Sequence, residues 1–140
     1  MHKDCIRELP AECRPLMNKF YRAHRSPMRA PAGARCWVLG DRDIEAGLCL
    51  LAIDNGHWLT GLLVSPARRN RGLASALLAH ARARCHGPVW LFCDPQLSDF
   101  YKRLGFQPAW ALPEPLGNRL LRYNQHKTLI ALVHDNPETS

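Results

Sequence analysis

The stretch HWLTGLLVSPARRNRGLASALLAHARARC, residues 57–85, predicts a strand, a short basic turn and a helix in that order. Residues 57–64 are rich in β-branched, aromatic and aliphatic side chains and end in a Ser-Pro turn signal. From Gly72 onward, apolar residues recur at helical spacing. A helix that begins here directs unpartnered N–H groups and the positive end of its dipole into the turn, where Arg69 and Arg71 add full charges. The stretch therefore predicts a pyrophosphate site.

Two common phosphate-binding motifs do not describe this turn. No Lys-Ser/Thr pair follows the glycine, as a P-loop requires, and the three glycines of a dinucleotide fingerprint are absent. The pattern Arg69-x-x-Gly72-x-Ala74 instead resembles the acetyl-CoA signature of the GNAT superfamily of N-acetyltransferases, Gln/Arg-x-x-Gly-x-Gly/Ala. Downstream, FYKRLGF (residues 100–106) resembles the GNAT segment in which an aromatic-Tyr pair on a helix leads into Gly-Phe. The two motifs occur in the family's order, and the resemblance runs from about Arg35 to Phe106.

The predicted order of elements agrees with this resemblance. We expect strands at residues 5–9, 35–39, 44–53, 57–64, 89–93, 106–111 and 128–133, and helices at 11–24, 72–85, 96–104 and 113–125. The first helix is expected to bury Leu16, Phe20 and Ala23, the last to bury Leu116, Leu120 and Leu121, and the tail at 135–140 to be frayed. The resemblance implies one GNAT domain over residues 1–140, of the α/β (α+β) class. Its mixed sheet would have about six to seven strands, flanked by helices and splayed between 57–64 and 89–93.

The resemblance also implies how acetyl-CoA is bound, with CoA as the product. The pyrophosphate would lie on the turn and the first turn of the helix, formed by Arg69, Asn70, Arg71, Gly72, Leu73, Ala74 and Ser75. The pantetheine arm would pair with the backbone edge of Leu62, Leu63 and Val64. The side chains of these three residues can pack in the sheet core at the same time, because only their backbone groups would serve the ligand.

The implied chemistry is direct attack of a primary amine on a thioester. The backbone amide of Val64 is expected to hydrogen-bond the thioester oxygen. Tyr101 matches the general acid of the family, and a phenol with a pKa of about 10 is protonated at neutral pH. The alternative for Tyr101 is a helix aromatic that only packs on the sheet.

The general base and the acceptor are left open by the sequence. His57, Asp99, His24 or a water molecule could accept the proton of the amine. The first helix and the loop after it carry Arg22, Arg25 and Arg29, which would favour a small-molecule or peptide acceptor with an anionic group. The alternative is a solvated basic face. A homodimer is compatible with the family but is not indicated by any residue.

Composition excludes some classes of protein and leaves two alternatives. With 140 residues, a net charge of +7 and no apolar run of membrane-spanning length, the chain is expected to be a cytoplasmic protein that attracts anions. The six cysteines contain no C-x-x-C pair, which favours reduced thiols, and no metal site is expected. The alternatives to an enzyme are a non-catalytic CoA sensor and a basic nucleic-acid-binding module. The latter is the less favoured, since no nucleic-acid-reading motif is present.

Overall fold

The computed structural model describes residues 5–135 and shows a mixed α/β architecture. Within this range it contains seven strands and four α-helices. Their bounds are β1 Ile6–Leu9, α1 Arg14–Ala23, β2 Arg35–Leu39, β3 Ala46–Ile53, β4 Gly56–Val64, α2 Leu73–Arg82, β5 Val89–Cys93, α3 Ser98–Arg103, β6 Gln107–Pro108, α4 Glu114–Tyr123 and β7 Ile130–His134. The strand order is β1-β2-β3-β4-β5-β7-β6, with both parallel and antiparallel pairs, so the expected mixed sheet is confirmed. The frayed tail expected after residue 135 lies outside the described residues.

The chain forms two compact units. The first comprises the described residues of Met1–Leu51 together with Thr60–Arg84, and the second comprises Ala52–Leu59 together with the described residues of Cys85–Ser140. Strand β4 contributes to both units. The single-domain organisation remains a prediction.

The first unit is built on the antiparallel strands β1, β2 and β3. Helix α1 packs on them through Met17, Phe20 and Tyr21, all buried. The expected apolar face of α1 is therefore wrong in part, because Leu16 is 49% exposed and Ala23 is also exposed. The buried positions have i, i+3, i+4 spacing, which is the stripe a helix presents to a sheet.

Helix α2, expected at residues 72–85, is observed at Leu73–Arg82. Leu73, Leu77, Leu78 and Ala81 are buried along one side of the helix. The His80 ring lies 5.5 Å from the Trp37 ring on β2. Packing on this side fixes the direction of the helix, and with it the position of its N-terminus at Gly72.

The second unit contains a parallel and an antiparallel pairing of β5. The N-terminal part of β4 pairs with β5 in parallel, with Trp58 opposite Trp90 and Leu59 opposite Leu91. On the other side β5 pairs antiparallel with β7, and β7 pairs antiparallel with β6.

Two expectations in the second unit are corrected. The strand expected at 106–111 is reduced to Gln107–Pro108, because proline cannot donate a ladder hydrogen bond, although the amide of Ala109 still bonds the Ala131 carbonyl at 3.0 Å. Helix α4 buries Leu116 and half-buries Leu120, but Leu121 is 69% exposed. Leu121 is five residues from Leu116 and therefore projects from a different face of the helix.

The described residues contain no helix that is long and apolar enough to span a membrane. All six cysteines are free thiols, and Cys36, Cys49, Cys85 and Cys93 are buried.

Candidate functional site

The turn between β4 and α2 has the conformation of an anion-binding loop. A single 3₁₀ turn at Pro66–Arg68 follows β4, and Asn70 and Gly72 then adopt left-handed backbone angles with φ of 64° and 74°. A Cβ added to Gly72 would meet no atom within 4 Å, so open space lies beside its backbone. A ligand can therefore approach the main chain closely at this point.

The first turn of α2 presents free backbone donors. The first helical hydrogen bond is donated by the Ala76 amide to the Gly72 carbonyl at 3.0 Å. The amides of Leu73, Ala74 and Ser75 precede it and have no partner within the helix. No side chain of the described part of the chain caps this N-terminus. The turn thus combines free N–H groups with the positive end of the helix dipole, which together attract phosphate groups.

The three neighbouring arginines of this turn have different environments. The Arg69 Nε donates to the Val64 carbonyl at 3.1 Å, which ties the turn to the end of β4. Arg68 forms an ion pair with Glu45 at 3.0 Å. Arg71 is exposed. Within residues 5–135, Arg71 is thus the guanidinium of the three that has no recorded protein partner, and Arg69 also stabilises the conformation of the turn.

Strand β4 contains an irregular residue, Gly61, which the sequence reasoning did not single out. Gly61 is buried and has φ of 69° in the middle of the strand. The Tyr21 hydroxyl on α1 donates to the Gly61 carbonyl at 2.6 Å and lies 3.5 Å from the Cys49 sulfur. Burial raises the pKa of the Tyr21 phenol, so this group is a permanent donor. A glycine inside a strand pattern is a signal for such an irregularity.

The expected cofactor residues Leu62, Leu63 and Val64 follow Gly61 on β4. All three are half-buried and belong to the first unit, as do residues 69–75. The last β4 residue in the register with β5 is Leu59, which precedes them along the strand.

Tyr101 lies on α3 in the second unit and is 8% exposed. Its ring contacts Phe100 at 5.0 Å and Phe106 at 5.8 Å between centroids. Burial, with a smaller contribution from the Cys93 thiol, raises the pKa of Tyr101 to about 12. Its hydroxyl has no hydrogen-bond partner within residues 5–135, so it is a protonated donor available to a ligand.

The three candidate bases are spread over both units. His24 follows α1 in the first unit, and its ring centroid lies 5.0 Å from that of Phe20 in an edge-on arrangement. In the second unit, His57 is held by a bond from its backbone amide to the Pro88 carbonyl at 2.9 Å, and Asp99 is exposed in the first turn of α3. The candidate acceptor-side arginines, Arg22, Arg25 and Arg29, are all exposed.

A cation–aromatic cluster in the second unit was also missed by the sequence reasoning. The Arg119 guanidinium carbon on α4 lies 4.6 Å from the centroid of the Trp58 ring on β4. The Phe92 ring lies 5.7 Å from Trp58 and 6.1 Å from Tyr123. The Arg119 Nη1 donates to the Tyr123 hydroxyl at 3.4 Å. We call these four residues the Arg119 cluster.

Two other features do not add to the predicted site. An open depression of about 690 Å³ in the second unit is lined by Lys102, Trp110, Asn118 and other residues of α3, α4 and β7, none of them a predicted site residue. The part of the chain that the structure describes holds no group of three or more metal-ligating side chains.

Comparison with known proteins assigns the family. The model of the acetyltransferase (GNAT) domain matches residues 32–108, more than half of the 140 residues. No curated protein matches the sequence in these comparisons.

Three solved structures illustrate the similarity in fold. The N-acetylglutamate synthase from Neisseria gonorrhoeae, complexed with coenzyme A and N-acetyl-glutamate, aligns with a TM-score of 0.72 at 18% identity, over 99% of this chain and 36% of its own. The ribosomal-protein-S18-alanine N-acetyltransferase from Escherichia coli aligns with a TM-score of 0.72 at 16% identity, over 99% and 97%. An acetyltransferase of the GNAT family from Staphylococcus aureus Mu50 aligns with a TM-score of 0.69 at 14% identity, over 96% and 100%.

These identities establish the fold alone, and the chain spans about a third of the Neisseria synthase. The family model, the two motifs and the seven-stranded mixed sheet agree with one another. The chain belongs to the GNAT family of acetyltransferases.

Proposed function

We propose that the protein is an acetyl-CoA-dependent N-acetyltransferase that acts on a primary amine. The observation that carries this proposal is the conformation of the turn at residues 69–75. Asn70 and Gly72 are left-handed, and among the described residues no atom lies beside Gly72 and three amides have no helical partner. Together these features would form a cradle for a diphosphate. The Neisseria synthase of the same fold was solved with coenzyme A, which supports the choice of ligand.

The residues that would hold the ligand divide into two groups. The amides of residues 72–75, with Arg69, Asn70 and Arg71, would bind the pyrophosphate. The backbone of Leu62, Leu63 and Val64 would pair with the pantetheine arm. When bound, acetyl-CoA supplies the thioester carbonyl that an amine attacks. The Val64 amide would hydrogen-bond the carbonyl oxygen as negative charge develops on it.

Tyr101 would assist departure of the thiolate. Its pKa of about 12 keeps it protonated at neutral pH, and its hydroxyl has no competing partner within the described chain. Complete proton transfer to a thiolate of pKa about 8.5 from a phenol of pKa about 12 would cost about 5 kcal/mol. We therefore assign Tyr101 a strong hydrogen bond to the sulfur in the transition state. The proton that makes the free thiol is the one that the attacking nitrogen loses as the amide forms, passed on directly or through solvent.

The proton of the ammonium leaves before attack, and its acceptor is one of His57, Asp99 and His24, or water. The intrinsic pKa of the amine determines how much help is needed. A pH-rate profile of single variants at these three positions would separate them.

The non-enzymatic alternatives have less support. Two of the basic residues that suggested nucleic-acid binding are engaged within the protein, since Arg68 pairs with Glu45 and Arg84 donates to the His80 carbonyl at 3.0 Å. A CoA sensor would use the same turn but would not need the Tyr101 hydroxyl.

The first test compares thermal unfolding of the protein alone, with acetyl-CoA, with CoA and with NAD. A ligand at about 100 times its dissociation constant adds about 2.7 kcal/mol of stability, which raises the Tm by several degrees. We expect a rise with both CoA species and none with NAD, and then release of free thiol when amines are added. The absence of a rise with either CoA species would refute the proposal. Binding without thiol release from any amine would favour the sensor.

A further inference from the structure

The Arg119 cluster has the chemistry of a binding site for a carboxylate. We propose that Arg119 and the indole N–H of Trp58 bind the carboxylate of the acceptor, so that the acceptor is an amino acid. The proposal rests on the proposed function, since it names the substrate class of the same enzyme.

The charge of Arg119 is not neutralised within the described residues. Arg119 is half-buried, and its contacts in residues 5–135 are the Trp58 ring and the Tyr123 hydroxyl, with no Asp or Glu among them. Arginines removed from water are normally paired with an anion or fully hydrogen-bonded. Within the described residues the guanidinium makes one hydrogen bond, to the Tyr123 hydroxyl, so most of its five N–H donors have no protein partner there.

Trp58 supplies a second, independent observation. Its side chain is 4% exposed, and its Nε1 is a buried donor without a hydrogen-bond partner in the described chain. Buried indole N–H groups usually have a partner, because an unmade bond leaves their desolvation uncompensated. The Trp58 indole N–H has no hydrogen-bond partner in the described chain, and the Arg119 guanidinium that contacts its ring has no counter-charge there. Together they indicate a ligand that is anionic and accepts hydrogen bonds.

Charge and geometry favour a carboxylate over a phosphate. A carboxylate accepts two parallel N–H bonds from a guanidinium, and its single negative charge balances the single positive charge of Arg119. A phosphate dianion would leave one negative charge uncompensated in a cluster whose other members, Phe92 and Tyr123, are aromatic.

Trp58 lies on β4, the strand that also contains the proposed pantetheine segment. Trp58 and Thr60 lie on the same face of β4, as alternation along a strand requires. Further along the same strand are Leu62, Leu63 and Val64, which the proposed function assigns to the pantetheine arm. Trp58 and the proposed pantetheine segment are thus parts of one strand.

The direct test follows the indole N–H signals of the full-length protein by ¹⁵N NMR. Four tryptophans give four such signals, and Trp58→Phe identifies the one from Trp58 by removing it. The twenty standard amino acids, glycinamide, alaninamide, leucinamide and inorganic phosphate are each titrated to about 10 mM, above the usual range of KM. We expect the Trp58 signal to shift with at least one amino acid and to remain in place with the amides and with phosphate.

Matched variants separate Arg119 from general charge effects. Arg119→Gln should weaken the binding of that amino acid by about tenfold to a hundredfold. Arg122→Gln, an exposed arginine on the same helix, should leave it unchanged. In the acetylation assay the loss should appear in KM for the amino acid, and KM for acetyl-CoA should stay constant.

The remaining outcomes contradict the proposal. They are equal shifts with the amides, a shift with phosphate alone, no shift with any amino acid in a folded protein, and equal effects of the two arginine variants. Failure of the proposed function would be visible separately, as an absence of acetyl-CoA binding in calorimetry whatever the indole signals show.

Discussion

The Tyr21 hydroxyl lies 2.6 Å from the Gly61 carbonyl oxygen and holds β4 at its one left-handed residue. Tyr21 is fully buried, and the bond joins α1 to β4 within the first unit. Gly61 immediately precedes Leu62–Val64, the segment proposed to bind pantetheine. The irregularity redirects the backbone of the strand at this point, because a left-handed residue breaks the regular alternation of strand geometry. The bond is therefore expected to fix the orientation of the ligand-binding backbone.

Tyr21→Phe should destabilise the protein. It leaves the buried Gly61 carbonyl without its donor, which costs about 1–3 kcal/mol and lowers the Tm by roughly 4–10 °C. Differential scanning calorimetry checks this. Tyr101→Phe is the matched control, because the Tyr101 hydroxyl has no partner between residues 5 and 135 and its removal should change the Tm by less than about 2 °C. Equal effects of the two variants on the Tm would contradict this role of Tyr21.

Gly61→Ala should be more damaging than Tyr21→Phe and should depend on it. At φ of 69° an alanine is strained, and its Cβ would collide with the Tyr21 hydroxyl oxygen. Tyr21→Phe removes that oxygen, so the double variant should be more stable than the sum of the single effects by about 0.5–3 kcal/mol. Urea unfolding of the four proteins measures this coupling. Additive free energies of unfolding would show that the collision is relieved in another way.

Tyr101→Phe should separate catalysis from binding. Loss of a general acid lowers kcat by about 10²–10⁴-fold, and the ring that packs against Phe106 is retained. The dissociation constant of acetyl-CoA, measured by calorimetry, should change by less than about twofold, since no binding contact is assigned to the hydroxyl. An unchanged kcat would show that Tyr101 is not the acid and would reopen the packing interpretation.

The raised pKa of Tyr101 predicts the alkaline side of the pH profile. The protonated phenol is the active form, and a pKa raised to about 12 keeps that form populated to higher pH. At pH 10 about 1% of Tyr101 would be ionised, whereas a phenol of pKa about 10 would be half ionised. We therefore expect kcat to be constant between about pH 8.5 and pH 10. If kcat instead fell by about half between pH 8.5 and pH 10, and this fall were absent in Tyr101→Phe, the raised pKa would be contradicted.

The sequence predicted the elements whose residue pattern is local. The turn at 69–74 and helix α2 carry their own signals, namely a glycine with free φ, a basic cluster and helical apolar spacing. The errors concern residues whose burial depends on distant partners. Leu16 and Met17 are both apolar, and only the sheet beneath α1 determines that Met17 is inside.

The Arg119 cluster shows a second limit of prediction from the sequence, which is that contacts between distant segments leave no local signal. Arg119 and Trp58 are separated in the sequence by α2, β5, α3 and β6, and nothing near either residue indicates that they touch. Gly61 is different, because a glycine within a strand pattern is a readable signal of a bulge, although its partner Tyr21 is not. Which residues are buried in the core, and which residues meet at the candidate site, therefore depend on contacts between distant segments that the sequence does not indicate.

Arg71→Gln should weaken acetyl-CoA binding without affecting stability. Arg71 is exposed and makes no ion pair within the described residues, so its charge is available to the pyrophosphate. Loss of one charge-assisted bond costs about 1.5–3 kcal/mol, a roughly tenfold to hundredfold rise in Kd. The effect should shrink as salt is raised, because exposed charges are screened. Arg68→Gln is the control, since Arg68 is already paired with Glu45 and should leave Kd within about threefold. Calorimetric titration of both variants at two salt concentrations decides the matter. Equal losses of affinity would mean that the turn acts through its total charge, and an unchanged Kd in Arg71→Gln would leave the backbone amides of residues 72–75 as the pyrophosphate donors.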